Sequence, residues 1–230
     1  MTLISLINGD IGNEKGISRA IVNAANGSLI LGGGVAGAIK KACGRTAVDL
    51  QRECSEFVRN LKTKLNLDSV PIGSAALTGS HGMHPSEGII HSVAPHCAMR
   101  GVRTDDQAKQ LKAAYDSAFE IAERKCFKTI AMPFLGAGIF NYPPQESAEI
   151  GLLSALNKCP SQTMDEIRFV STDKRLLAHI STLIGGSSIT INSATEAQLS
   201  ISRICQSTRG IVGPPSNQID IDRCLQFALE

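Results

Sequence analysis

Tryptophan is absent from this 230-residue chain, and aromatic residues make up only 4% of it. So few aromatic faces argue against a surface that stacks successive bases of a single strand. Net charge is just as scarce, since 23 Lys and Arg against 21 Asp and Glu leave +2. A dedicated DNA binder needs many phosphate-neutralising side chains, so no DNA partner is expected. No uninterrupted apolar run reaches the length of a membrane span, so no membrane partner is expected either. The stretch Met1-Thr2-Leu3-Ile4-Ser5-Leu6-Ile7 is apolar, but it lacks a basic start and meets Asp10 too soon for a secretory signal. The 7 cysteines, at 43, 54, 97, 126, 159, 205 and 224, are an odd number without a C-x-x-C pair. That usage fits reduced packing thiols rather than a disulfide framework. A cytoplasmic location is expected, with secretion lacking a cleavable signal left open.

What is present is alternation. Short apolar runs at Leu3–Ile7, Ala20–Ala24, Ala75–Leu77, Ile89–Val93, Thr129–Pro133 and Ile167–Ser171 predict six strands, several apolar enough to be covered on both faces. Between them, helical spacing predicts helices over Val35–Phe57, Asp105–Lys125, Pro144–Lys158 and Lys174–Ile184. Alternating elements with buried strands predict a three-layer α/β/α domain over residues 1–184. After Ile184, Gly185-Gly186-Ser187-Ser188 and Gly213-Pro214-Pro215-Ser216 interrupt the pattern. Residues 185–230 therefore predict an appendage, packed on the core or awaiting a partner, with short helices at Thr195–Ser207 and Asp220–Leu229.

Two glycine clusters each fall between a predicted strand and a predicted helix: Gly32-Gly33-Gly34-Val35-Ala36-Gly37 and Gly136-Ala137-Gly138-Ile139-Phe140. Glycines there let backbone N–H groups approach a ligand, and the helix that follows favours an anion. Two such loops facing one another suit two linked phosphates, whereas each alone is also an ordinary tight turn. The first cluster satisfies G-x-G-x-x-G, yet Gly27–Leu31 separates it from its strand. The acids at the expected distance, Asp49 and Glu53, fall within a helix. A dinucleotide fingerprint therefore fits badly.

Ahead of the glycines stands Ala20-Ile21-Val22-Asn23-Ala24-Ala25-Asn26-Gly27. The carboxamides of Asn23 and Asn26 offer both donor and acceptor, which suits a sugar diol, although asparagine also caps turns. Asp10, beyond the first strand, could accept from an exocyclic amine of a base or cap a loop. His81, His84, His91 and His96 gather beside Cys97, but a zinc site needs three or four of them to converge. A strand histidine and loop histidines explain them more simply, and neither metal nor cofactor is expected. Cys43 fits a core position, and Lys40 and Lys41 fit a solvated helix face, with Lys40 near enough to border a ligand.

Gly9-Asp10-Ile11, Ala20–Asn26, Gly32–Ile39, Gly73–Pro95 with Ile90-His91-Ser92-Val93-Ala94-Pro95, and Pro133–Pro143 together closely resemble the macrodomain family, in order, over residues 1–184. The resemblance implies a three-layer fold around a mixed six-stranded sheet, binding of ADP-ribose, and mono-ADP-ribosylated proteins as partners. It implies that Asp10 takes the adenine amine beside Ile11, and that Asn23 and Asn26 flank the distal ribose as catalytic residues. Gly33, Gly34, Val35 and Ala36 would form the first phosphate loop, and Ala137, Gly138, Ile139 and Phe140 the second.

Departures accompany the likeness. Ala36 stands where many cellular hydrolases of the family carry an acid, and Lys40 where a histidine is common. The run Gly-Gly-Gly-Val-Ala-Gly-Ala looks instead like viral macrodomains, many of which hydrolyse with a water placed by the substrate's own phosphate. Thr172 stands where an aromatic often stacks on adenine, which leaves Phe169 as a substitute whose strand phase is wrong for the task. The activity expected is removal of mono-ADP-ribose from ester linkages at acidic residues, with O-acetyl-ADP-ribose as a further substrate. The alternative is a non-catalytic ADP-ribose reader.

Overall fold

The computed structural model describes residues 1–14, 17–83, 86–161 and 163–207. Seven strands form one mixed sheet: β1 (Thr2–Asn8), β2 (Ala20–Ala25), β3 (Ala75–Gly79), β4 (Gly88–Val93), β5 (Thr129–Met132), β6 (Glu166–Ser171) and β7 (Ser188–Ile191). Their order is β3-β4-β2-β5-β6-β1-β7. The five inner strands run parallel, while β3 and β7 pair antiparallel at the two edges. Each of the six apolar runs became a strand, because covering both faces rewards a continuous Ile/Val/Ala run.

The helices are α1 (Gly34–Cys43), α2 (Ala47–Leu65), α3 (Asp105–Arg124), α4 (Pro144–Lys158), α5 (Lys174–Ile184) and α6 (Ala194–Ser207). One core lies between the sheet and α1 and α2, built on Ile21, Ala25, Ile39, Leu50 and Phe57. The other lies between the sheet and α3 to α6, built on Val22, Ile130, Phe119, Leu153 and Ile180. Three layers result. Helix α3 starts with a capping box in which the Thr104 hydroxyl accepts from the Gln107 N–H and the Gln107 side chain accepts from the Thr104 N–H.

Two expectations are corrected. The helix foreseen over Val35–Phe57 is two helices, split by a 3-10 turn at Gly44–Thr46. Gly44 sits at φ 61°, outside the right-handed helix region, and the Thr46 hydroxyl reaches the carbonyls of Cys43 and His81 to hold the break. The sheet has seven strands rather than six. The seventh comes from the segment read as an appendage: after Gly185 closes α5 at φ 76°, Ser188–Ile191 pairs with β1. Helix α6, foreseen over Thr195–Ser207, then buries Ala197 and Ile204 in the core shared with α4. The helix foreseen at Asp220–Leu229 lies outside the described residues. Among the described residues, no helix is long and apolar enough to cross a membrane.

Candidate active site

The parallel strands β1, β2, β5 and β6 all finish at the same edge of the sheet, and the loops that follow them surround a cavity of about 440 Å³. A cavity outside the carboxyl ends of parallel strands is where open α/β sheets hold their ligands. After β1 come Asp10 and Ile11, after β2 come Asn26 and the first glycine cluster, after β5 the second cluster, and after β6 Thr172 and Asp173.

The first cluster presents backbone rather than side chains to the cavity. Helix α1 begins at Gly34 without a side-chain cap on Gly33 and without an acid in its first turn. Its first N–H groups have no intrahelical acceptors, and the positive end of the helix dipole lies at the cavity. A Cβ on Gly32, Gly33 or Gly34 would meet nothing within 4 Å, so the loop leaves open space beside those N–H groups. Gly37 has the opposite reason for being glycine: a Cβ there would lie 2.9 Å from the Gly32 carbonyl oxygen.

The second cluster lines the same cavity from the other face of the sheet: Ala137 and Phe140 pack on the core shared with α3 to α6, Val35 and Ala36 on the core shared with α1 and α2. Gly136 takes φ 74°, a turn a side chain disfavours, and Ile139 stands 71% exposed at the rim. Leu135, at its base, is held from two helices. The Leu135 N–H donates to the Tyr115 hydroxyl at 2.7 Å, and the Ser147 hydroxyl donates to the Leu135 carbonyl at 2.6 Å. Tyr115 and Ser147 are 3.1 Å apart, with Tyr115 donating because the Ser147 proton is already used. Phe140, partly buried, makes an edge-on contact with His96 at 5.7 Å.

Charge is sparse around the cavity. Among the described residues lining it, the charged ones are Asp10 and Asp173, and no Lys or Arg is present. The Asp10 Oδ1 accepts from the Gly12 N–H at 2.8 Å, and Asp173 caps α5 by accepting from the N–H groups of Arg175 and Leu176. An anion placed here would meet N–H dipoles rather than side-chain cations.

The two asparagines part company. Asn26 lines the cavity, with its Oδ1 accepting from the Ile30 N–H at 3.1 Å and its Nδ2 donating to the Ile30 carbonyl at 3.0 Å. Asn23 does not reach the cavity. Strand alternation puts it in phase with Ile21 and Ala25, facing α2, where it is 1% exposed and its Nδ2 donates to His91 Nδ1 at 3.0 Å. With Nδ1 accepting, the proton sits on Nε2, which donates to the Thr78 hydroxyl at 2.9 Å and lies 3.7 Å from Cys54 Sγ. Burial pushes the His91 pKa down to about 3, with His81 adding to the effect, and burial likewise raises Cys54 to about 12.

The remaining candidates fall as follows. Ile11, Gly33, Gly34, Val35, Ala36, Ala137, Gly138, Ile139, Phe140 and Thr172 all line the cavity. Phe169 does not: it is fully buried and stacks on Phe134 at 5.3 Å. Lys40 lies in a separate hollow with Gln51, Arg52 and Arg59. His81 pairs with Glu53, and His84 lies outside the described residues. No group of three or more His, Cys, Asp or Glu among the described residues is placed to hold a metal ion.

The family model described as Macro domain matches residues 22–151, which include both asparagines and both glycine clusters. The chain belongs to the macrodomain family. This macrodomain is 35% identical over 175 residues to O-acetyl-ADP-ribose deacetylase 1 of Pantoea vagans, covering 75% of this chain and 93% of that protein. It is 35% identical over 164 residues to the rat (Rattus norvegicus) ADP-ribose glycohydrolase MACROD1, covering 71% of this chain and 56% of that one. Among solved structures, the Oceanobacillus iheyensis macrodomain with ADP superposes with a TM-score of 0.67 at 31% identity, covering 78% of this chain and 88% of the other. A variant of that same macrodomain with ADPR gives 0.67 at 30% identity, over 78% and 90% of the two chains.

Proposed function

We propose that this macrodomain binds ADP-ribose in the cavity and hydrolyses mono-ADP-ribose from modified proteins at ester linkages to acidic residues. The observation that carries the proposal is the pair of glycine loops on opposite sides of one cavity, the first opening an uncapped helix N-terminus. A diphosphate between them takes N–H groups from both sides, which a cavity with no cation among its described lining residues needs if it is to hold two negative charges. Asp10 and Ile11 then lie toward the base, with Thr172 supplying no aromatic face there. Phe140 and Asn26 lie toward the distal ribose.

The chemistry suits the residues present. Water adds its oxygen to the anomeric carbon of the distal ribose, the bond from that carbon to the protein carboxylate breaks, and the carboxylate leaves with the electron pair while water gives up a proton. A carboxylate whose acid has a pKa of about 4 departs without prior protonation. A site with Ala36 in place of an acid therefore favours ester linkages over linkages to strongly basic nitrogen. The work left to the protein is positioning: the diphosphate orients the water, and Asn26 orients the ribose. The name of the Pantoea vagans relative supports the acetyl ester of O-acetyl-ADP-ribose as a second substrate. Ala36, and the engagement of both Asn26 amide atoms by Ile30, favour a second reading in which the domain reads ADP-ribose without turnover.

Incubation with a protein carrying ADP-ribose on acidic residues, followed over time, separates the two. Steady release is expected. Retention of the label together with tight binding would establish the reader.

A further inference from the structure

The loop that carries Asn26 is held by a residue that does not line the cavity. We infer that Gln51, on α2, is the positioning residue for the Asn26 carboxamide, an inference that deepens the proposed activity and rests on it for its kinetic arm. The Gln51 Oε1 accepts from the Leu31 N–H at 2.8 Å, and its Nε2 donates to the Leu29 carbonyl at 3.3 Å. Asn26 makes the same kind of two-point contact with the residue between them, Ile30. Two carboxamides thus grip the same two consecutive peptide units, Leu29–Ile30 and Ile30–Leu31, each taking one N–H and one carbonyl.

The loop needs that grip. Leu29 sits at φ 52°, a left-handed conformation that costs a branched side chain energy. The Leu29 N–H donates to the Asn26 carbonyl at 2.9 Å, and the Val70 N–H donates to the Gly27 carbonyl at 2.8 Å. Leu29 and Leu31 are buried at 1% and 4%, whereas Ile30 between them is 59% exposed. The Ile30 carbonyl takes a second donor, the Gly32 N–H at 3.0 Å, so the Asn26 contact is continuous with the first glycine of the phosphate loop. Without Gln51, the buried Leu29 carbonyl and Leu31 N–H lose their side-chain partners. The peptide of Ile30 can then rotate, and the Asn26 carboxamide rotates with it. Misplacement of a substrate-orienting group by about 1 Å can cost on the order of 100-fold in rate while leaving ground-state contacts made elsewhere intact.

The test compares Gln51→Met, which keeps the length and removes both hydrogen bonds, with Gln51→Glu, which keeps the acceptor for Leu31. In Gln51→Met, kcat for release is expected to fall about 10- to 100-fold, with the ADP-ribose Kd changed less than about threefold. Gln51→Glu should fall between Gln51→Met and the parent. Amide exchange at Ile30 and Leu31, and the side-chain NH2 resonances of Asn26, provide a readout in the ligand-free protein. Exchange should quicken and the resonances should move toward those of a freely rotating amide. Unchanged kcat, or kcat and affinity falling in parallel, would overturn the inference. So would unaltered exchange and Asn26 resonances in both variants. If the parent itself releases nothing, the hydrolase reading fails, and the exchange and resonance data alone decide the role of Gln51. If Gln51→Met does not fold, Gln51→Glu carries the same comparisons.

Discussion

Asn26 and Asn23 share a residue type and a strand end, yet the pleat sends one to the cavity and the other to a buried histidine. The sequence motif alone treats them as equals; the period-2 alternation of β2 separates them, because Asn23 falls in phase with Ile21 and Ala25. Ribose orientation is therefore proposed for Asn26 alone. Asn26→Ala is expected to abolish release in single-turnover assays while weakening ADP-ribose binding less than about tenfold, or about 1.4 kcal/mol. An Asn26→Ala variant that keeps the parental rate would remove Asn26 from the mechanism. Ala36 tests the opposite change. Ala36→Asp is expected to raise turnover or leave it unchanged, by placing an acid near the attacking water. The new carboxylate, in the first turn of α1, should also repel the diphosphate and weaken ADP-ribose binding a few-fold. Calorimetry beside single-turnover rates checks both signs.

The strands and most helices are legible in the sequence because each carries its own periodicity: six apolar runs became six strands, and Pro144–Lys158 and Lys174–Ile184 are helices with the foreseen limits. What was not legible depends on partners distant in sequence. The apolar stripe of Val35–Phe57 continues across Gly44, so periodicity missed the break that the positive φ imposes. Ser188–Ile191 alternates too briefly to announce a strand, and becomes one by pairing with the open edge of β1. The facing of the glycine loops is likewise a property of the sheet order. Tyr115 shows how an element far from the ligand shapes one of them. Its hydroxyl is the acceptor for the buried Leu135 N–H, and its ring lies where a Cβ on Gly151 would come within 2.7 Å. Tyr115→Phe should cost about 1–3 kcal/mol in chemical denaturation, because a buried donor loses its acceptor. A cost near zero would mean that another group satisfies Leu135.

At the scale of the molecule, stability and binding are expected to separate. No described residue beyond Leu176 lines the cavity, whereas Ile191, Ala197 and Ile204 are all buried in the core shared with α4. Removing the chain from Gly186 onward is expected to lower Tm while leaving ADP-ribose affinity nearly intact; a folded truncation without affinity would contradict this. His91 sets a pH signature. Its pKa is pushed from 6.5 to about 3 in the folded protein. The unfolded chain takes up the proton near 6.5, so the stabilisation is complete above 6.5 and is lost progressively as pH falls toward 3. The slope is at most about 1.4 kcal/mol per pH unit. His91→Gln should flatten that part of the pH profile, and an identical slope in the two proteins would contradict the assignment. The central claim, that two opposed glycine loops make this cavity a seat for a nucleoside diphosphate sugar, is tested most directly by calorimetric titration with ADP-ribose. The account predicts a micromolar Kd, about −8 kcal/mol. Absence of heat and of any thermal shift at millimolar ligand would contradict it.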